Sequence, residues 1–418
     1  MKRIKIGMLG LGTVGSGVYK TLKKFDNIEI TKISVKNINK PRNIDGFDES
    51  ILTTDPYSII NDPQIDIFVE VIGGVNPAWE YISEAIKNGK HIVTANKELL
   101  AKKGKELFEL AEKYNKVVLY EAAIAGGIPL IMPLKTIMAG NDITNIQAIL
   151  NGTTNYILTN MDVNNASYED VLKEAQKLGY AETDPTGDVE GYDAAYKITT
   201  LATIAFGKRV DINKVYREGI TGIRAEDMKM ANELGYKIKL VASGKLNKNN
   251  QVDVRVHPML VPKKETLAHI NYVTNAVGIT GFPIGDIVLS GPGAGEFPTA
   301  SSVIGDVLNI AAEIETTDYL LPMMRCKHAQ DANMIPIEET FNKYYISITA
   351  PNNQGEIGKI GAICAEHNIS LSSILQKGVS ENNTADITVI TEVCKEADIQ
   401  NAIKQLTECK VNSLIRVM

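Results

Sequence analysis

The sequence predicts an α/β chain in three parts: a doubly wound parallel sheet, a mixed α/β segment and a small C-terminal βαββαβ unit. Three observations predict it. Over residues 1–130 short apolar runs alternate with amphipathic stretches, glycines at positions 10, 12 and 15 separate the first run from the first helix, and residues 343–418 alternate strands and helices in the βαββαβ order. A length of 418 residues allows two or three such domains. With 44% hydrophobic and 22% charged residues, the composition is that of a globular chain and not of a disordered one. The 44 basic and 50 acidic residues leave a net charge of −6, which argues against a nucleic-acid partner.

Taken in order, residues 4–9 read as a buried strand, 16–24 as a helix and 28–35 as a second strand. Strands at 65–72, 91–94 and 116–120 follow, with helices at about 77–88 and 97–114. Right-handed crossovers put the strand ends along one edge, where such sheets bind ligands. From about residue 129 the helices lengthen (129–139, 168–178, 193–206, 225–234) and mix with strands near 143–150, 236–245 and 252–260. A glycine-rich turn, Gly291-Pro292-Gly293-Ala294-Gly295, leads into a helical stretch at 299–315. The domains expected are 1–130 completed by a return segment at about 296–325, then 131–295, a linker at 326–342 that holds Pro336, and 343–418. The last reads strand 344–350, helix 355–367, strands 369–376 and 384–391, helix 395–406 and strand 411–417, which is the ferredoxin-like plan.

Cys326, Cys364, Cys394 and Cys409 are too scattered for a disulfide framework and form no CxxC pair; a reducing cytoplasm fits them. The 5 histidines show no metal-ligand spacing, and Cys326 near His328 reads as incidental. Gly7, Gly10 and Gly12 interrupt the apolar start, which speaks against a signal peptide, and no apolar run is long enough to span a membrane. The absence of a G-x-S-x-G elbow and of a Walker loop thins the field of hydrolases and kinases.

Gly10-Leu11-Gly12-Thr13-Val14-Gly15 lies between a predicted strand and a predicted helix, the context in which G-x-G-x-x-G marks a Rossmann-type dinucleotide site. The first glycine permits the tight turn, the second lets backbone approach a pyrophosphate, and the third lets helix and strand pack closely. The helix N-terminus offers N–H groups and partial positive charge to the phosphates. Where NAD-preferring sites carry an acid after the second strand, this chain has Lys36, a cation that suits the 2′-phosphate of NADP. Lys36 also reads as a solvated surface lysine, and NAD stays open.

The segment from Glu182 through Asp184, Asp188 and Asp193 to Lys197 gathers acids in a loop broken by glycine and proline, ahead of an apolar helix. Asp193 and Lys197, four residues apart, share one helix face. Such pairs are common on ordinary helices; as a functional group, acids would grip an α-amino group while the lysine serves a carbonyl or hydroxyl oxygen. Lys97 in Val93-Thr94-Ala95-Asn96-Lys97 stands where a parallel strand hands over to a helix, as either a site residue or a solvated helix-start lysine. The loop Glu121 to Pro129 could present carbonyls to a cation or N–H groups to an anion, or simply turn the chain. Gly291 to Gly295 could approach a cofactor or be a turn.

Together these motifs resemble the homoserine dehydrogenase family, in that family's order and over the whole chain. Gly10 to Gly15, Glu70-Val71-Ile72-Gly73-Gly74 and Val93 to Lys97 look like its nucleotide domain; Glu121 to Pro129, Leu150-Asn151-Gly152-Thr153-Thr154-Asn155-Tyr156 and Glu182 to Lys197 look like its catalytic core. The resemblance implies reversible NAD(P)-dependent interconversion of L-aspartate 4-semialdehyde and L-homoserine, a step toward threonine, methionine and isoleucine. By position it implies Lys197 as catalytic lysine, Lys97 between cofactor and substrate, and Glu182, Asp188, Asp193, Gly152 and Thr153 at the substrate. It implies Gly10, Gly12, Thr13, Val14, Gly15, Lys36, Gly73, Thr94, Lys97, Gly293 and Gly295 at the cofactor. Glu121, with the backbone of Ile124, Gly126 and Ile128, corresponds to a monovalent-cation site, usually sodium.

Residues 343–418 resemble an ACT domain, an amino-acid-sensing module, which implies a homodimer or homotetramer and L-threonine as a candidate effector at Asn352 and Gly355. Where members of that family often carry Asp-x-Pro-Gly, this chain has Asn352-Asn353-Gln354-Gly355. The neutral Asn352 removes a charge for the effector's ammonium, and a purely stabilising appendage is the other reading. A dehydrogenase for another small amino-acid semialdehyde and a silent amino-acid sensor are the alternatives for the chain as a whole.

Overall fold

The computed structural model describes residues 3–316, 328–379 and 383–418, and the chain divides into two compact units. The first holds Met1–Ile146, Asp193–Val215 and Thr274–Ala332; the second holds Gln147–Tyr192, Tyr216–Val273 and Asn333–Met418.

Six parallel strands form the sheet of the first unit: β1 (Ile4–Leu9), β2 (Ile28–Ser34), β3 (Leu52–Thr53), β4 (Ile67–Glu70), β5 (His91–Thr94) and β6 (Val118–Leu119). Their spatial order, β3-β2-β1-β4-β5-β6, reverses between β1 and β4. That reversal is the switch point at which doubly wound sheets open a ligand crevice outside their carboxyl ends. Ile4, Ile6 and Met8 on one face of β1 and Gly7 and Leu9 on the other are all buried, as in a strand covered on both sides. Helix Thr13–Leu22 packs along helix Glu296–Thr316, and Val18 and Leu22 share one core with Ala300, Val303, Val307 and Ile310. Each of these Val, Leu and Ile side chains contributes roughly 1.5–3 kcal/mol on burial. Gly17 allows this approach, since a Cβ there would lie 2.6 Å from the Glu296 carbonyl oxygen.

Several elements of this unit escape the sequence pattern, among them β3 and a late hairpin. β3 is too short to show alternation, and the antiparallel hairpin Thr274–Phe282 with Gly285–Pro292 contains Gly278 and Gly281, which erase a strand signal. Residues 317–325 of the expected return segment, with Cys326, lie outside the described residues. Cys364, Cys394 and Cys409 are free thiols.

In the second unit, Tyr236–Leu246 and Gln251–Pro262 form a long antiparallel pair. Helix Gly152–Asn164 is another element that periodicity does not reveal: every residue from 154 to 161 is buried, Thr and Asn included, so no polar stripe marks it. Asn151 starts the helix by accepting the Thr154 N–H at 2.8 Å, and Asn165, at φ 50°, ends it.

Strands Phe341–Pro351, Leu371–Val379, Thr384–Thr391 and Lys410–Val417 pair antiparallel in the order fourth, first, third, second, with helices Glu356–Glu366 and Glu396–Gln405. This is the ferredoxin-like plan, closed over Tyr344, Ile346, Ile348, Ile360 and Ile399. Its sheet continues into the rest of the unit, because Lys410–Val417 also pairs parallel with Gln251–Pro262, Met259 opposite Arg416 and Leu260 opposite Val417. Within the segment expected as a linker, residues 326–327 are outside the described residues, Asn333–Met334 pairs with Gln251–Pro262, and Ile337–Glu339 forms a 3-10 turn. Among the described residues no helix is long and apolar enough to cross a membrane.

Candidate active site

The three fingerprint glycines differ in what a side chain would meet. Gly10 has φ +105°, Gly15 would place a Cβ 2.4 Å from the Gly10 carbonyl oxygen, and Gly12 has nothing within 4 Å. Backbone strain, close packing and open space are thus divided among them as a pyrophosphate turn requires. Helix Thr13–Leu22 begins with no side-chain cap and no acid in its first turn, so the N–H groups of Thr13 and Val14 are left for an anion. A dinucleotide fits these residues.

Beyond β2, Lys36 is exposed. Arg42 donates to the carbonyls of Asn37 (2.8 Å), Ile38 (3.0 Å) and Lys40 (2.8 Å), which folds the loop carrying Lys36 and Lys40 around a third cation. The turn after β4 is organised by Glu70, fully buried: Oε1 accepts the N–H groups of Ile72 (2.8 Å) and Gly73 (3.0 Å), and Oε2 accepts the Thr94 hydroxyl at 2.6 Å. Asn96 donates to the Gly74 carbonyl at 2.6 Å and caps the next helix by accepting the Leu99 N–H at 3.0 Å. Glu70 and Asn96 therefore tie Gly73 and Thr94 into one rim. Their signals in the sequence are an acid ending an apolar strand and an Asn directly before a helix.

That capped helix, Lys97–Lys113, starts with Lys97, whose ammonium pairs with Asp193 Oδ1. Asp193 Oδ2 accepts from Lys197 at 2.7 Å, one turn along helix Tyr192–Phe206. The Lys197 and Asp193 side chains are 9% and 8% exposed and that of Lys97 43%. Burial pushes the Asp193 carboxyl up, but the Lys197 and Lys97 ammonium groups and their hydrogen bonds outweigh it and hold it well below the usual carboxylate range. Asp193 is thus an anion that fixes two ammonium groups at the end of one sheet edge.

In the second unit, Asp188 Oδ1 accepts the Asn151 side-chain amide at 2.7 Å, and the Thr153 hydroxyl donates to the Tyr180 carbonyl at 2.7 Å. Gly152 faces the Val273 carbonyl, 3.1 Å from where a Cβ would sit. These residues gather at the N-terminus of helix Gly152–Asn164. Glu182 is exposed, and its carbonyl oxygen, not its carboxylate, is engaged, by Gln176 at 3.1 Å.

Glu121 serves as the N-terminal anchor of helix Ile131–Lys135: Oε1 accepts the N–H groups of Leu130 (2.5 Å) and Ile131 (2.8 Å), and Oε2 accepts that of Met132 (2.7 Å). Its own N–H donates to Asp306 at 2.8 Å. Burial, then the charge of Glu121, pushes the Asp306 carboxyl well up. Gly126, at φ +54°, closes on Gly293, 2.6 Å from where a Cβ would sit, and Ser302 donates to the Gly126 carbonyl at 2.6 Å. Gly293 in turn has the Asn275 amide 2.1 Å from its Cβ position, so it is required for packing whatever else it does; Gly295, at φ +119°, precedes the return helix. The Asn275 side-chain oxygen is buried without a hydrogen-bond donor, the kind of acceptor a hard cation satisfies. Among the described residues no three His, Cys, Asp or Glu cluster together.

In the C-terminal module, Gly355 has φ +89° and opens helix Glu356–Glu366 without a side-chain cap. Asn352 donates to the Asn383 side chain and accepts from Gln376, both at 3.4 Å.

Residues 10–121 match the model of the homoserine dehydrogenase NAD-binding domain, residues 129–308 that of homoserine dehydrogenase, and residues 344–410 that of the ACT domain. A homoserine dehydrogenase of Synechocystis is 41% identical, the alignment covering 99% of each chain. The crystal structure of a homoserine dehydrogenase from Thiobacillus denitrificans is 38% identical and superposes with a TM-score of 0.93 over 100% of this chain and 99% of that one. A hyperthermophilic archaeal homoserine dehydrogenase in complex with NADPH is 26% identical, with a TM-score of 0.64 over 75% of this chain and 98% of that one. The chain belongs to the homoserine dehydrogenase family of NAD(P)-dependent oxidoreductases, which act in amino-acid biosynthesis, and carries a C-terminal ACT domain.

Proposed function

We propose that Lys197 is the acid and base of the reversible reduction of L-aspartate 4-semialdehyde to L-homoserine, with Asp193 as its anchor and Lys97 as its neighbour toward the cofactor. The observation that carries this reading is the buried Asp193 carboxylate shared by the two ammonium groups. The reduced nicotinamide supplies a hydride when bound. Negative charge then develops on the substrate oxygen, and an ammonium beside it both lowers the barrier electrostatically and delivers the proton. Asp193 holds Lys197 in place through their hydrogen bond; in the reverse direction Lys197 takes the hydroxyl proton back. Glu182 and Asp193 fix the substrate amino group, and Asp188, Gly152 and Thr153 complete the set of substrate-binding residues.

Gly10, Gly12, Thr13, Val14 and Gly15 hold the pyrophosphate, with Gly73, Thr94, Gly293 and Gly295 along the remainder of the cofactor. NADP is the preferred form and NAD a usable one, since Lys36, Lys40 and Arg42 follow β2 in the place of an acid. The archaeal relative described with NADPH supports that choice. Sodium or another monovalent cation sits on the carbonyls of Ile124, Gly126 and Ile128, with Glu121 bracing the turn. L-threonine is the candidate effector at Asn352 and Gly355, and the working form is a homodimer or homotetramer in the cytoplasm.

The test is Lys197→Ala assayed with both substrates beside NADPH binding by fluorescence. Turnover is expected to fall roughly a thousandfold or more while NADPH affinity is retained. Near-normal turnover removes Lys197 from the chemistry.

A further inference from the structure

We propose that Arg416, on the last strand of the ACT domain, is a positioning residue for the reaction: through Glu218 it holds the turn from which helix Tyr192–Phe206 starts. Arg416 is 1% exposed. Its Nε and Nη2 donate to the two oxygens of Glu396 at 2.9 and 2.7 Å, and its Nη1 donates to Glu218 Oε2 at 2.8 Å. One rigid fork therefore joins a helix of the ACT domain to a residue outside it. Tyr344 fixes the inner end by donating to Glu396, and Tyr216 the outer end by donating to Glu218 Oε2 at 3.0 Å.

The segment that carries Glu218 grips the turn. The Glu218 N–H donates to Val256 at 2.8 Å, so the backbone is anchored on strand Gln251–Pro262. Directly beyond it Gly219 lies so close to the turn that a Cβ would be 2.5 Å from the Val189 carbonyl oxygen, and the Ile220 N–H donates to that same oxygen at 2.8 Å. The Arg217 guanidinium donates to the Glu190 carbonyl and stacks 3.4 Å above the ring of Tyr192. The next residue is Asp193. The far end of the segment is held by the ACT domain as well, since the buried Asp227 accepts from Tyr345 at 3.1 Å and Ser413 at 2.6 Å.

A buried ion pair is a weak device for stability alone, because a well-packed apolar residue does as well. What it supplies is direction, and a displacement of about 1 Å at the reacting groups is enough to lose on the order of a hundredfold in rate. The inference rests on the assignment of Asp193 and Lys197 made above.

Glu218→Gln keeps shape and removes the charge that Arg416 holds; Arg416→Met removes the fork. Both variants, with their double combination, are to be compared with wild type in the full chain for kcat, for KM of homoserine and of NADP, and for melting temperature. Expected is a five- to twentyfold loss in kcat/KM for homoserine in each single variant, an unchanged KM for NADP, and a double variant no worse than Arg416→Met. Homoserine kinetics within twofold of wild type in a folded Glu218→Gln overturn the proposal, as does a double variant in which the two losses multiply. Should the underlying assignment be at fault, Lys197→Ala turns over normally; should only the coupling be at fault, Lys197→Ala is inactive and Glu218→Gln is not.

Discussion

Asp193 and Asp306 show how one side-chain type takes opposite states in the same unit. Asp193 stays ionised because two ammonium groups answer its burial, whereas burial, and then the Glu121 charge beside it, push the Asp306 carboxyl well up. A carboxyl whose pKa is raised on folding holds its proton more tightly folded than unfolded, so its contribution to stability declines as pH rises from the ordinary carboxylate value toward the raised one. Asp306→Asn, which imitates the protonated acid, is therefore expected to gain melting temperature relative to wild type as pH goes from 4 to 8; a constant difference across that range contradicts a protonated Asp306. Asp193→Asn leaves the buried Lys197 ammonium without its anion. A stability loss of about 3 kcal/mol is expected from denaturant titration, with kcat falling alongside. A variant as stable and active as wild type would mean that the carboxylate anchors nothing.

At the scale of elements, the turn between β1 and the first helix makes a prediction that separates packing from binding. Gly15→Ala forces a Cβ onto backbone, 2.4 Å from the Gly10 oxygen, and is expected to lower stability by about 1–3 kcal/mol. Gly12→Ala meets nothing within 4 Å in the fold and is expected to leave the melting temperature unchanged while raising KM for NADPH about tenfold, by blocking the pyrophosphate's approach. Equal effects of the two substitutions on both readouts would refute this division of labour. These glycines were legible because spacing and context suffice to read them. Helix Gly152–Asn164 was not, since its buried Thr and Asn side chains are satisfied by backbone and by distant partners, the Thr159 hydroxyl donating to the Asn155 carbonyl at 2.6 Å and the Asn155 amide to the Ile270 carbonyl at 3.1 Å, and no polar face remains to mark it.

Across the whole molecule, what sequence could show was short-range: the alternation that makes the parallel sheet, the order of the ACT elements, and the Asp193–Lys197 spacing. The partners it could not show are far apart in the chain, Glu121 with Asp306 and Glu218 with Arg416, and only the fold brings their charges together. The second unit also explains why the ACT domain is no detachable appendage. Cutting the chain before Phe341 uncovers strand Gln251–Pro262 and strips Asp227 of Tyr345 and Ser413. Such a truncation is expected to aggregate or lose most of its activity, and full kcat in a soluble truncated protein would show the domain to be independent. The claim on which the rest depends is that the Lys197 ammonium delivers the proton. It is tested most directly by kcat of Lys197→Ala for semialdehyde reduction in a series of small primary amines. The account predicts negligible turnover in amine-free buffer and partial recovery that rises with ammonium concentration; turnover near that of wild type without any amine would contradict it.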